Sequence, residues 1–192
     1  MRRIPASLLQ ADWITGTYPG RPQPTGRVIL ATRNRRSRSV LNIQSNSNAI
    51  VWSLDANLDN NDLLVNEIGN YQGVRLMDLA FFSPQTSRYL DITATGPWTI
   101  SVRSVTTVPT FDSNTAGRGD RVLLYTGPAR VMRLTHDGPS NFIVWHHRNY
   151  LSASTDSDLV VNVIGPYNAT RSFAAGPALI EITADGNWTI GP

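Results

Sequence analysis

The chain has no cysteine and no lysine, only two glutamates, Glu67 and Glu181, and no apolar run of membrane-spanning length. Without cysteine there is no disulfide framework and no thiolate metal site. Both glutamates fall in repeated strand segments, so no carboxylate pair is patterned for glycoside hydrolysis. Gly-x-Ser-x-Gly, Gly-x-x-x-x-Gly-Lys and His-Glu-x-x-His are all missing. Charged residues make up 16%, too few for a long solvated helix or a charged disordered tail. All 17 basic residues are arginine, which fits a GC-rich coding sequence and leaves bidentate interface chemistry available. Near the start, Asp12 interrupts the apolar stretch around Ile4–Leu9, so the sequence reads as a soluble chain without an export signal.

What is present is an internal repeat, three blocks recurring in the same order. Asn48-Ala49-Ile50-Val51-Trp52 matches Asn141-Phe142-Ile143-Val144-Trp145. Asp62-Leu63-Leu64-Val65-Asn66-Glu67-Ile68-Gly69-Asn70-Tyr71 matches Asp158-Leu159-Val160-Val161-Asn162-Val163-Ile164-Gly165-Pro166-Tyr167. Asp91-Ile92-Thr93-Ala94-Thr95-Gly96-Pro97-Trp98-Thr99-Ile100 matches Glu181-Ile182-Thr183-Ala184-Asp185-Gly186-Asn187-Trp188-Thr189-Ile190. The offsets differ between blocks, as when loops change length between homologous modules. The expected organisation is an N-terminal arm over residues 1–19, a first module over 20–104, a Thr/Val/Pro linker from Val105 to Thr110, and a second module over 111–192.

Helix signals are nearly absent. Short segments rich in Val, Ile, Thr and aromatics, bounded by Gly, Pro, Asn and Asp, predict strands at 27–31, 40–44, 50–54, 63–68, 89–94 and 98–102, with equivalents in the second copy. The fold class is therefore all-β: two tandem antiparallel β-sandwich modules of jelly-roll type. Alternation puts Trp98 with Ile100, and Trp188 with Ile190, on one strand face, which makes the tryptophans core anchors. Tyr71 and Tyr167, following Gly69 and Gly165, read as corner residues whose hydroxyls bond nearby backbone.

Candidate chemistry is sparse. His146 and His147 are adjacent and face opposite sides of a strand, and no carboxylate is patterned with them or with His136, so neither a metal site nor a catalytic histidine is expected. Asp55-Ala56-Asn57-Leu58-Asp59-Asn60 opens like a calcium loop but lacks its glycine and its closing glutamate, and reads as a polar connection. Arg118-Gly119-Asp120 spells an adhesion tripeptide in what reads as a turn. The Asn168-Ala169-Thr170 and Asn187-Trp188-Thr189 sequons matter only in a secretory eukaryotic setting. The densest charge is Arg33, Arg35, Arg36 and Arg38; without interleaved aromatics, and with no counterpart in the second copy, it reads as a solvated hairpin or an interface contacting an acidic partner rather than a nucleic-acid site.

Gly117-Arg118-Gly119-Asp120-Arg121-Val122, Leu134-Thr135-His136-Asp137-Gly138-Pro139-Ser140-Asn141-Phe142, Asp158-Leu159-Val160-Val161-Asn162 and Ala184-Asp185-Gly186-Asn187-Trp188-Thr189-Ile190 together resemble a β-sandwich repeat. That repeat is found in actinobacterial secreted proteins and in virion proteins of the tailed phages that infect those bacteria. The first module has Gln44-Ser45-Asn46-Ser47 where the second has the Thr-His-Asp-Gly turn. The resemblance implies a non-enzymatic structural virion protein, a capsid decoration or minor capsid subunit assembled in the host cytoplasm. Its expected partners are other virion proteins such as the major capsid protein, with self-association and glycan recognition as further partner classes and no membrane, cofactor or metal. Expected partner-binding residues are Arg2, Arg3, Trp13 and Tyr18 on the arm and Arg33, Arg35, Arg36 and Arg38 in the first module. The alternative is a carbohydrate-binding module, with Tyr18 and Tyr150 as candidate stacking residues; a hydrolase would need two carboxylates converging in a cleft.

Overall fold

The computed structural model describes residues 14–16, 26–31, 39–79, 87–152 and 156–192, with side chains from residue 40 onward. The chain forms two compact units, Met1–Val105 and Thr106–Pro192. The first contains β1 (Ile14–Gly16), β2 (Gly26–Ala31), β3 (Ser39–Ser45), β4 (Ala49–Leu54), β5 (Asn60–Glu67), β6 (Tyr71–Met77), β7 (Tyr89–Ala94) and β8 (Trp98–Ser104). The second contains β9 (Thr110–Phe111), β10 (Thr115–Arg118), β11 (Arg121–Tyr125), β12 (Arg130–His136), β13 (Asn141–Arg148), β14 (Asp156–Ile164), β15 (Tyr167–Phe173), β16 (Ala178–Ala184) and β17 (Asn187–Gly191). A 3-10 turn, Val105–Thr107, lies between them.

In the first unit the sheets run β1-β8-β3-β6 and β2-β7-β4-β5; in the second they run β10-β17-β12-β15 and β14-β13-β16-β11, the latter extended by β9. Strand for strand the order is the same, and it is that of an eight-stranded jelly roll with two four-stranded sheets. The expected all-β, sandwich-type architecture is what the chain adopts. Each unit buries its own core. Leu41, Ile43, Val51, Leu90, Ile92, Trp98 and Ile100 cluster in the first, and Met132, Leu134, Phe142, Val144, Ile180, Ile182, Trp188 and Ile190 in the second. These are the inward halves of alternating strands, as period-2 patterning requires. Trp188 is 1% exposed, so both its ring and that of the buried Trp98 are interior packing.

Four details depart from the sequence reading. Ile14–Gly16 is not part of an arm: it is β1, pairing antiparallel with β8 so that Gly16 faces Trp98, just as Gly117 of β10 faces Trp188. The remainder of the expected arm lies outside the described residues. Thr110 is not linker, since with Phe111 it pairs parallel to β11. Residues 71–77 form a full strand, which is missing from the expected strands. Nor is Tyr167 a tyrosine corner: among the described residues its buried hydroxyl has no hydrogen-bond partner, while its ring meets Phe142 at 5.7 Å and carries the Arg171 guanidinium at 5.4 Å. The Tyr125 hydroxyl donates to the Pro128 carbonyl.

Candidate interaction surface

All eight expected partner-binding residues, Arg2, Arg3, Trp13, Tyr18, Arg33, Arg35, Arg36 and Arg38, lie outside the described residues. The site that the structure brings together is elsewhere, on the outward face of the β2-β7-β4-β5 sheet and its counterpart. Outward positions alternate with core positions, so β4 turns Ile50 and Trp52 outward while Ala49 and Val51 enter the core; β13 does the same with Ile143 and Trp145 against Phe142 and Val144.

A β-bulge sets the neighbours of each tryptophan. Register shifts between Val51 and Trp52 and between Val144 and Trp145, because β5 and β14 each carry one extra residue, Leu64 and Val160. The extra residue packs toward the core, and the bulge places Leu63 opposite Trp52 and Leu159 opposite Trp145. On the other flank, Trp52 pairs with Asp91 and Trp145 with Glu181. One step along the sheet, Ile50 stands between Asn66 and Thr93, and Ile143 between Asn162 and Thr183. Ile68 and Ile164, at the ends of β5 and β14, continue the line beyond Asn66 and Asn162. They are 89% and 81% exposed.

Six outward side chains are thus identical in the two modules: Leu63/Leu159, Trp52/Trp145, Ile50/Ile143, Asn66/Asn162, Ile68/Ile164 and Thr93/Thr183. The carboxylate Asp91/Glu181 is kept beside the tryptophan. Core positions must stay apolar if two copies share a fold, whereas outward positions are less constrained. The outward face of the other sheet makes the contrast. There Thr99/Thr189 agree, whereas Asn42/Arg133, Gln44/Thr135, Gln72/Asn168 and Val74/Thr170 differ; on the tryptophan side Leu54/His147 and Tyr89/Leu179 differ as well. The matched face is also apolar. Of the eight exposed large apolar residues described, five belong to it: Ile50, Leu63, Ile68, Leu159 and Ile164. The repeat blocks contained all six residues, but only the bulge and the strand register show that they share a face.

Polar residues elsewhere are mostly engaged in holding the fold. At one end of the second module, the His136 Nε2 accepts the Gly186 N–H at 3.2 Å and Nδ1 lies 3.1 Å from the Gly165 carbonyl, the arrangement of a ring that carries a proton on Nδ1. Asp185 Oδ1 is 3.3 Å from the same Nε2, but Oδ2 is held by the Ser140 N–H at 2.9 Å, and that backbone donor rather than a ring proton accounts for its position. Asp137 accepts the Asn187 side-chain amide at 2.8 Å and its N–H at 2.7 Å, and these bonds hold its carboxyl below the ordinary aspartate value. In the adhesion-like tripeptide, Asp120 is 7% exposed and its Oδ1 accepts the Ala184 N–H at 2.9 Å, so the carboxylate faces inward and is not presented to a receptor. Asp55 Oδ1 accepts the N–H groups of Asn57 and Asp59 at 2.8 and 3.0 Å; it closes its own turn instead of pointing at a cation.

Carboxylates do stand beside histidines, contrary to the sequence reading: Asp185 beside His136, and Glu181 Oε2 3.5 Å from His147 Nε2. His147 Nδ1 also lies 2.8 Å from Ser157 Oγ, giving a Ser–His–Glu sequence of side chains across three strands. The imidazole is fully buried and stacks with Trp145 at 6.0 Å. His147 lies on β13, between β14, the edge strand that carries Ser157, and β16, which carries Glu181. The arrangement reads as cross-strand packing. Tyr150 sits half-buried in the β13–β14 connection, apart from the matched face. No group of three His, Asp or Glu among the described residues is placed to hold a metal, and no described helix is long and apolar enough to cross a membrane.

His146, the inward neighbour of His147, is 1% exposed between Tyr125 and Phe173, and neither ring nitrogen has a hydrogen-bond partner among the described residues. Burial, reinforced by Arg148 and His147 and opposed by Asp158 and by a backbone approach from Ala174 too poorly formed to satisfy the ring, holds its pKa below the usual 6.5. The unfolded chain therefore takes up a proton that the folded module refuses. Stability from this group is complete above pH 6.5 and is lost as pH falls from there toward the depressed folded value. Hydrogen exchange of β13 and β16 amides should accelerate as pH is lowered through that window, after correction for intrinsic rates. His146→Phe should flatten the trend; an unchanged slope would show that another group is responsible.

No protein-family model matches the chain, and no curated protein matches it.

Proposed function

We propose that the chain is a non-enzymatic structural subunit of a tailed-phage virion, a capsid decoration or minor capsid protein, which binds other virion subunits through the matched outward faces of its two modules. The observation that carries this reading is the set of six outward side chains kept identical in both modules while the opposite sheet face diverges. An exposed apolar patch with an aromatic centre and an Asn/Thr rim has the composition of a protein interface. The jelly roll is shared by capsid and lectin domains, so the architecture admits the reading without deciding it. The phage context comes from the resemblance of the sequence repeat.

The test is occupancy in gradient-purified phage particles, followed by quantitative mass spectrometry. The wild-type chain should copurify at a fixed copy number, and Ile68→Ser combined with Ile164→Ser should reduce occupancy by about 10-fold or more. Absence of the wild-type chain from intact particles rejects the reading. A second reading is supported by one feature: each half-buried tryptophan has a carboxylate, an asparagine and a threonine nearby, groups able to stack on and hydrogen-bond a pyranose. Glycan recognition predicts that Trp145→Ala abolishes binding on an array while Ile164→Ser leaves it intact.

A further inference from the structure

We infer that an open hollow on the outward side of the β10-β17-β12-β15 sheet is a binding site for a carboxylate, presented by a protein partner as an aspartate or glutamate side chain. The hollow lies within the second module and on the sheet opposite the matched face, so it stands apart from the interface proposed above.

Its origin is in the strand register. Arg133 on β12 pairs with Gly191 on β17, and Ala116 on β10 pairs with Thr189. A glycine and an alanine on adjacent strands leave a gap of about 390 Å³ beside Arg133, bounded also by Asn114, Thr189 and Pro192. The first module has Asn42, Ser101 and Thr15 at the register positions of Arg133, Gly191 and Ala116. Relative to it, the second module carries two smaller residues and one cation at the same spot.

Arg133 is held ready for an anion. Its Nε–H donates to Asn168 Oδ1 at 2.8 Å, which fixes the guanidinium plane. It makes no ion pair with any described residue, so the N–H groups on its two Nη atoms are open to a ligand. None of the four strands of this sheet contains an aspartate or glutamate, whereas they hold Arg118, Arg130, Arg133 and Arg171. The sheet therefore presents a positive field, and of these arginines only Arg133 lines the hollow.

The lining selects the ligand. One guanidinium offers parallel N–H groups that match a single carboxylate. A phosphate dianion calls for more than one cation, and no second one is among the described residues of the hollow. No aromatic ring is among them either, so a sugar would lack a stacking platform. Asn114 and Thr189 add neutral hydrogen-bonding groups for the peptide that flanks an acidic side chain.

Titration of the isotope-labelled full chain at low ionic strength, followed by amide chemical shifts, tests the inference. The probes are the capped tripeptides Gly-Glu-Gly and Gly-Gln-Gly and inorganic phosphate. The Glu peptide should give saturable shifts at Thr115, Ala116, Arg133 and Gly191, and the Gln peptide should bind at least about 10-fold more weakly. Arg133→Asn should weaken Glu-peptide binding by about 10-fold or more. Gly191→Val should abolish it with the guanidinium intact, by filling the hollow. A Cβ at Gly191 meets Asn114 Cβ at 3.6 Å, an ordinary contact, so the strand should keep its fold, as circular dichroism checks. Arg118→Asn, on the same sheet beyond the hollow, should change the affinity by less than about 2-fold. Absence of saturable shifts at the hollow, equal binding of the two peptides, tighter binding of phosphate than of the Glu peptide, or wild-type affinity in Arg133→Asn or Gly191→Val overturns the inference.

Discussion

Trp188→Ala should cost the second module about 3–5 kcal/mol of stability, the range for truncating a fully buried tryptophan. The side chain is 1% exposed and sits in the cluster with Phe142, Leu134 and Ile190. Its ring lies directly against Gly117, its partner across the β10–β17 ladder: a Cβ there would come within 2.5 Å of Trp188 Cζ2. No side chain on β10 can move in to refill the space at that position. The substitution also removes the Nε1–H bond to the Gly119 carbonyl at 2.9 Å. A small domain holds about 5–15 kcal/mol in total, so the loss is a large fraction of what the module has. Urea unfolding followed by circular dichroism, with exchange rates of β12 and β17 amides as the local readout, measures it. A loss under about 1 kcal/mol would mean that the site collapses around the deletion, contrary to the packing described.

The same tryptophan shows how much of the fold could be read in advance. The Trp-Thr-Ile alternation pointed Trp98 and Trp188 inward, and both are buried. Most strand positions follow from the same period, because one face of each strand must be apolar to make a core. β1 escaped for a physical reason. Three residues carry too little periodicity to register as a strand, and its mark, a glycine facing the tryptophan, is visible only once Gly16 and Gly117 are seen to occupy equivalent register positions. The site was less legible than the fold. Leu63, Leu64 and Val65 read as one continuous apolar run, and nothing in that run tells which leucine faces out; the bulge at Leu64 decides it. Glu181 and His147 are 34 positions apart in sequence, and no spacing rule pairs them; the β13–β16 ladder does. The arginines expected from charge density lie outside the described residues, and the face repeated in both modules is uncharged at its most exposed positions.

Gly186→Ala should destabilise the second module by about 2–4 kcal/mol, combining overpacking with the loss of local hydrogen bonds. Gly96→Ala at the equivalent place in the first module should cost less than about 1 kcal/mol. The difference comes from what each Cβ would meet. At Gly186 it would reach the Gly138 backbone nitrogen, Gly138 Cα at 2.6 Å and Asp137 Oδ1 at 2.5 Å. Gly138 is hemmed in reciprocally, with the Gly186 nitrogen and His136 Nε2 each 2.7 Å from its own Cβ position. Two loop backbones are in direct contact, so accommodating a methyl means separating them. Separation breaks the Gly186 N–H bond to His136 and the Asn187 bonds to Asp137. At Gly96 the nearest atoms are Asn46 Oδ1 at 2.7 Å and the Ser47 side chain, from 2.9 Å, the ends of side chains that can rotate aside. The Thr-His-Asp-Gly turn of the second module is therefore a device for docking two loops, and the first module, with Gln44-Ser45-Asn46-Ser47 in its place, does without it. Parallel denaturation of the two variants decides the matter: equal losses would mean that the turn is not what makes Gly186 indispensable.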